Sequence, residues 1–159
     1  GHLWFEDIYK IPRVNFALRA GDQVRVQRDP RSFTVLGATG AQTNELFGSR
    51  QPSALQAVAQ VGGLDAQVAD PTGIFVIREH DAKFANELLG RNDLVNRQSI
   101  IYVLDLTQPN GIPLARGFDI HDGDTIYVTE APSVLWSKTF ETFRGITGNL
   151  LVIERIAND

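Results

Sequence analysis

The sequence has no cysteine and no methionine, and only two tryptophans among its 159 residues. Without cysteine there is no disulfide framework, no thiolate zinc site and no thiol nucleophile. Long apolar runs are missing too. Ile74-Phe75-Val76-Ile77 and Leu150-Leu151-Val152-Ile153 are typical, far short of the ~18 consecutive apolar residues of a lone membrane span. Clustered cations are also lacking. Lys+Arg at 15 against Asp+Glu at 19 gives a net charge of -4, with no run of one sign. Phosphate-backbone affinity needs grouped positive charge, so the composition argues against a nucleic-acid partner. The opening Gly1-His2, with no initiator methionine, reads as a cleavage scar on a piece of a longer protein. Any export signal is then expected upstream.

What is present describes a folded domain. Hydrophobic residues make up 43% and charged residues 21%, with 14 glycines and 7 prolines. That is too apolar for a disordered tail, and long enough for one core or two small ones.

An internal repeat organises the chain. Phe16-Ala17-Leu18-Arg19-Ala20-Gly21-Asp22-Gln23-Val24-Arg25-Val26 is followed by Pro30. Phe118-Asp119-Ile120-His121-Asp122-Gly123-Asp124-Thr125-Ile126-Tyr127-Val128 is followed by Pro132, at an offset of 102 residues. Each copy reads as a Gly-Asp turn feeding a strand of period two, with Val24 and Val26 on one face and Ile126 and Val128 on one face. Gly21 and Gly123 supply the positive φ of the turn, and Asp22 and Asp124 can bond back to nearby N–H groups. Tandem modules are expected, with residues 1–30 the tail of a preceding one and 31–132 a complete one.

Between the copies the pattern alternates. Phe33-Thr34-Val35-Leu36 reads as a strand ending at Gly37, and Asn44 to Gly48 is ambiguous. Pro52-Ser53-Ala54-Leu55-Gln56 opens a helix whose Ser53 and Gln56 form a capping box. Ala54, Leu55, Ala57, Val58 and Val61 share its apolar side, and Gly62-Gly63 stops it. Ile74 to Arg78 and Ile100 to Leu106 read as strands. Phe84, Leu88 and Leu89 suit a short surface helix ended by Gly90. Pro109-Asn110-Gly111 turns the chain, and Ile112 to Ala115 is expected to return it. One two-turn helix among five or more strands is α+β, and a single helix crossing a mixed sheet is the β-grasp arrangement.

A search for reaction chemistry finds no catalytic constellation and no metal set. His80 and His121 sit in polar stretches and read as solvent-exposed side chains. A calcium loop started at Asp119 would need glycine at position 6, where Asp124 stands, so it fails. No G-x-S-x-G occurs, and Ser53 is already used as a cap. Asp122 and Asp124 are a carboxylate pair, but they lie in a repeated strand-entry turn, a poor place for glycosidase chemistry. No enzyme and no cofactor is expected. Trp4, Tyr9, Tyr102 and Tyr127 are candidate saccharide platforms, against the alternative that the tyrosines are partly buried strand residues with wet hydroxyls.

Several segments together resemble a known family. Pro30-Arg31-Ser32-Phe33-Thr34-Val35-Leu36-Gly37, the helix Ser53 to Leu64, and Ala69-Asp70-Pro71 leading to Val76-Ile77-Arg78 look like an SLBB (soluble-ligand-binding β-grasp) domain. Ile101-Tyr102-Val103-Leu104-Asp105-Leu106 and Asp122-Gly123-Asp124-Thr125-Ile126-Tyr127-Val128 resemble the same domain's closing strands. In this order they resemble the polysaccharide export outer-membrane proteins, especially the capsule-export branch, over residues 14–145. The resemblance implies a ring-forming homo-oligomer of the periplasm and outer membrane. It also implies a capsular or exopolysaccharide cargo and an inner-membrane polysaccharide copolymerase as partner. No lipidation cysteine and no counterpart of the family's N-terminal export domain is visible. The polar stretch 80–99 has no assignable role. Two other readings remain: a monomeric small-ligand or saccharide receptor of β-grasp fold, and a carbohydrate-active enzyme.

Beyond Pro132 the repeat stops. Ser133 can cap a helix in which Trp136, Phe140 and Phe143 recur at i, i+4 and i+7. Residues 133–159 are expected to form an amphipathic helix that packs on its own domain, packs on a neighbour, or helps build an outer-membrane pore. A helix of that length spans roughly 40 Å, enough to cross a bilayer.

Overall fold

The computed structural model describes residues 3–130 and the strand Leu150–Ile153, the latter as backbone only. A six-stranded mixed sheet is its frame: β1 (Ser32–Gly37), β2 (Thr43–Leu46), β3 (Ile74–His80), β4 (Gln98–Leu104), β5 (Thr125–Val128) and β6 (Leu150–Ile153), ordered β2-β1-β5-β3-β4-β6. β5, the strand of the second repeat copy, is central. It runs parallel to β1, with Val35 opposite Ile126, and antiparallel to β3, with Val76 opposite Ile126. The helices are α1 (Phe5–Lys10), α2 (Ala54–Gln60), α3 (Ala82–Leu89) and α4 (Gly111–Gly117).

α2 forms where its signals lie. The Ser53 side chain accepts from the Gln56 backbone N–H while Gln56 Oε1 accepts from the Ser53 N–H, at 3.3 and 3.0 Å. Gly62 and Gly63 take φ of +95° and +82° and end the helix. Its Ala54, Ala57, Val58 and Val61 are buried against Phe33, Val35, Ile74, Val76, Ile100, Tyr102, Leu104, Ile126 and Val128. In-register residues share a face, so these side chains define one side of the sheet. The β-grasp-like arrangement, one helix laid across a mixed sheet, is therefore the observed one.

Four expectations change. Ile112 to Ala115 does not return as a strand; it belongs to α4, because Pro113 lacks the N–H a ladder needs but is tolerated in a first helical turn. The α-helices are four among the described residues, although only α2 lies central to the core. The first repeat copy makes its turn, yet Val24 and Val26 are 66% and 84% exposed and outside any strand, because no described strand lies beside them. Leu150–Ile153 is a strand, whereas a helix was expected; it follows Gly145 and Gly148 and ends in β-branched Val152 and Ile153, which suit a pleat. The rest of 133–159, with Trp136, Phe140 and Phe143, lies outside the described residues.

The ambiguous stretch 44–48 supplies β2, the edge strand paired with β1. The polar stretch 80–99 supplies α3, capped by Asp81, whose carboxylate accepts the Phe84 N–H at 2.8 Å, and closed by Gly90 at φ +62°.

Candidate functional site

The repeated Gly-Asp turn keeps one geometry in both copies. Asp22 Oδ2 accepts the Arg19 N–H at 2.7 Å, and Asp124 Oδ2 accepts the His121 N–H at 2.8 Å. Gly21 and Gly123 both have positive φ, +96° and +83°. The surroundings differ. Asp22 is exposed, whereas Asp124 is 1% exposed and takes a bidentate grip from Arg78, at 2.9 Å from Nε and 2.7 Å from Nη2. Arg78 Nη2 also donates to the Asp119 carbonyl oxygen at 2.8 Å. Asp122 accepts the Ser32 N–H at 2.9 Å, tying the turn to the start of β1. Both carboxylates are thus engaged in holding strands together.

Around Arg78 gathers an aromatic cluster. Its guanidinium lies 5.5 Å from the Tyr102 ring centre and 5.2 Å from that of Phe118. The Tyr102 hydroxyl and His80 Nε2 are 2.7 Å apart, and the His80 ring stacks on Phe84 of α3 at 4.1 Å. Burial lowers the His80 pKa below its usual value, and the nearby Arg78 charge pushes the same way. Burial also raises the Tyr102 pKa. The His80 Nε2–Tyr102 hydroxyl hydrogen bond is thus made by a ring whose neutral form burial favours. The exposed position expected for His80 is corrected: it ends β3, half-buried, because α3 folds back and puts Phe84 against it. His121 is exposed, as expected.

A second cluster sits beside the start of β1, where Arg31 precedes Ser32. The Trp4 ring has the guanidinium of Arg31 at 5.0 Å and that of Arg50 at 5.2 Å. Arg31 also lies 4.6 Å from the Phe47 ring centre and pairs with Asp29. Arg50 pairs with Asp7 of α1 at 2.9 Å. The hydrogen bond from Arg31 lowers the Asp29 pKa. This is how the segment before the repeat turn is held to the module, and no sequence pattern announced it.

The candidate saccharide platforms do not converge. Trp4 lies between two arginines, Tyr9 is on α1 and exposed, and Tyr102 is 8% exposed in the core. Tyr127 is opposite Phe75 in the ladder and so on the sheet's other face from Tyr102. A groove of about 150 Å³ between α2, α4 and β4 is lined by Leu55, Val58, Leu64, Leu104, Leu106 and Ala115, among others. Its walls carry no convergent polar groups of the kind that orient a small polar ligand.

No protein-family model matches the chain. Individual relatives do. It is 31% identical over 137 residues, 86% of its length, to the Vi polysaccharide export protein VexA/TviF of Salmonella typhi. It is 33% identical over 152 residues, 91% of its length, to the capsule polysaccharide export protein BexD of Haemophilus influenzae. Its homologues are polysaccharide export proteins. A further one is the EPS I polysaccharide export outer membrane protein EpsA of Ralstonia nicotianae, 28% identical over 129 residues and 80% of this chain. The chain spans only 37%, 38% and 30% of the lengths of these three export proteins. The alignments therefore correspond to only a part of each of these relatives. These homologues are named for export, not for catalysis.

Proposed function

We propose that this chain is an SLBB-like, non-catalytic wall module of a capsular or exopolysaccharide export channel at the periplasmic and outer-membrane side of the envelope. The observation that carries the reading is the alignment with polysaccharide export proteins over 80–91% of the chain. The turn at Gly21-Asp22 supports the modular part. It copies the entry to the central strand β5, yet Val24 and Val26 stand exposed, as expected of a closing strand whose own sheet belongs to a preceding module (residues 1–30). The module at 31–132 then acts as one unit of a stack. The stack assembles into a homo-oligomeric ring, the polysaccharide passes through it, and an inner-membrane copolymerase delivers the cargo.

The apolar groove beside α2 does not favour a monomeric saccharide receptor, because sugar hydroxyls need polar partners that its walls lack. The test is genetic and structural together. In the native host, deleting the full-length gene should remove surface polysaccharide while polymer accumulates inside the cell. The purified full-length protein should form a closed ring by electron microscopy. Unchanged surface polysaccharide in the deletion strain would overturn the export role; a monomer at all concentrations would overturn the ring.

A further inference from the structure

The two copies of the repeat share a turn but not a charge. From Phe16 to Pro30 the first copy carries Arg19, Arg25 and Arg28 against Asp22 and Asp29. The matching positions from Phe118 to Pro132 carry Asp119, Asp122, Asp124 and Glu130, and no lysine or arginine. Arg28 stands where the second copy has Glu130, and Ala17 and Ala20 stand where it has Asp119 and Asp122. The turn itself requires none of this, because Asp22 and Asp124 make the same backbone bond, at 2.7 and 2.8 Å. Arg13 lengthens the basic stretch. From Arg13 to Arg28 four arginines face one acid, in a chain whose net charge is -4. All four are exposed. Among the described residues none of their guanidiniums makes an ion pair, a hydrogen bond or a ring contact, whereas Arg31, Arg50, Arg78, Arg91 and Arg97 are each paired with a carboxylate. A guanidinium left unpaired is a donor fork shaped for a carboxylate.

The repeat also says which half of the stretch is free to bind. Leu18, Val24 and Val26 occupy the positions of Ile120, Ile126 and Val128, all core residues at 1% exposure or less. These apolar side chains are the half that belongs against a sheet. Arg19 and Arg28 occupy the positions of His121 and Glu130, both exposed, and Arg25 that of Tyr127, on the sheet face away from α2. With the apolar half seated, the arginines still face outward, and a lipid surface would find no apolar side chains to take up. Spacing narrows the ligand further. The arginines stand three to six residues apart, too sparse for a duplex that presents a phosphate charge about every 1.7 Å. A polysaccharide with a carboxylate on every sugar or two presents its charge at a comparable dilution.

We propose that Arg13, Arg19, Arg25 and Arg28 form a binding strip for an acidic, carboxylate-bearing polysaccharide. The inference deepens the export reading and rests on it for the class of polymer: the cargo is then a polyanion, and the strip is a place where the module holds it.

Polygalacturonate, a polymer of a uronic acid, is the probe, and dextran is its neutral counterpart. At low ionic strength the chain should bind polygalacturonate and not dextran, despite its own net negative charge. Combining Arg13→Gln, Arg19→Gln, Arg25→Gln and Arg28→Gln should weaken that binding about tenfold or more and flatten its dependence on salt. Lys83→Gln with Arg116→Gln removes two exposed cations outside the strip and should change affinity by less than about twofold. The four single variants, each expected to weaken binding about two- to threefold, decide the matter if the combined variant does not fold. No binding of polygalacturonate, equal binding of dextran, or as large a loss in the Lys83 and Arg116 variant would overturn the strip. So would tighter binding of duplex DNA, which gives the arginines to a nucleic acid, or tighter binding of vesicles containing phosphatidylglycerol, which gives them to a membrane. The export reading fails separately, by unchanged surface polysaccharide in the deletion strain, and the binding measurement stands apart from that result.

Discussion

Asp22 and Asp124 hold the same place in the repeat and make the same bond to the backbone three residues earlier, but their environments give them different weights. Asp124 is buried and balances Arg78, itself only 11% exposed in its side chain. Removing one member of a buried pair strands the other, at a cost of about 3–5 kcal/mol. Asp124→Ala should lower stability by that amount in urea denaturation. Asp22→Ala, which loses one exposed hydrogen bond, should cost about 1 kcal/mol or less. His80 gives a second contrast, in pH. Its pKa is lowered in the folded chain from an unfolded value near 6.5, so below that value the unfolded chain binds more protons and stability falls as pH falls. His80→Phe keeps the stack on Phe84 and removes the titration. The stability difference between wild type and variant should be flat above pH 6.5 and drop against the wild type as pH is lowered. A difference independent of pH would show that His80 does not titrate differently on folding.

At the scale of elements, α2 is where packing is most demanding. Ala57 is fully buried and Val58 is 5% exposed, so the helix lies close on the sheet through small side chains. Val58→Asp places an unpaired carboxylate in that contact, and a loss of about 3–5 kcal/mol is expected, read as a lowered denaturation midpoint. Melting within a degree or two of wild type would remove α2 from the core. This helix was fully legible in the chain, because Ser53, Gln56 and Gly62-Gly63 are local signals acting through a few bonds. β1, β3 and β5 were legible for the same reason, by alternation or continuous apolar runs. α4 was not: Ile112 to Ala115 has the composition of a strand, and only the demand for backbone partners at Pro113 decides against it. The strand expected at Val24 and Val26 shows the reverse limit. Its pattern is right, but a strand exists only beside another. The Arg78 cluster was out of reach altogether, since it joins β3, β4 and the turn before β5 through pairings that no local pattern fixes. The same holds for Trp4, whose partners Arg31 and Arg50 arrive from either side of β2.

Over the whole molecule, the sheet joins segments far apart in the chain. One hydrophobic core lies between the sheet and α2, and the described residues include no helix long and apolar enough to cross a membrane. The middle strand of this sheet is also made last among the first five. β1 must wait for β5, and Thr34 meets Thr125 across 91 residues. Closing so long a loop costs entropy before any contact repays it. Until residue 128 is available, β1 and β3 expose the edges that β5 will fill, and an exposed strand edge invites pairing with another chain. The order of strands therefore sets a time window as well as a shape. While it lasts, the nascent chain is vulnerable to aggregation, and a protein bound for another compartment has a ready reason to remain unfolded until its whole length has arrived.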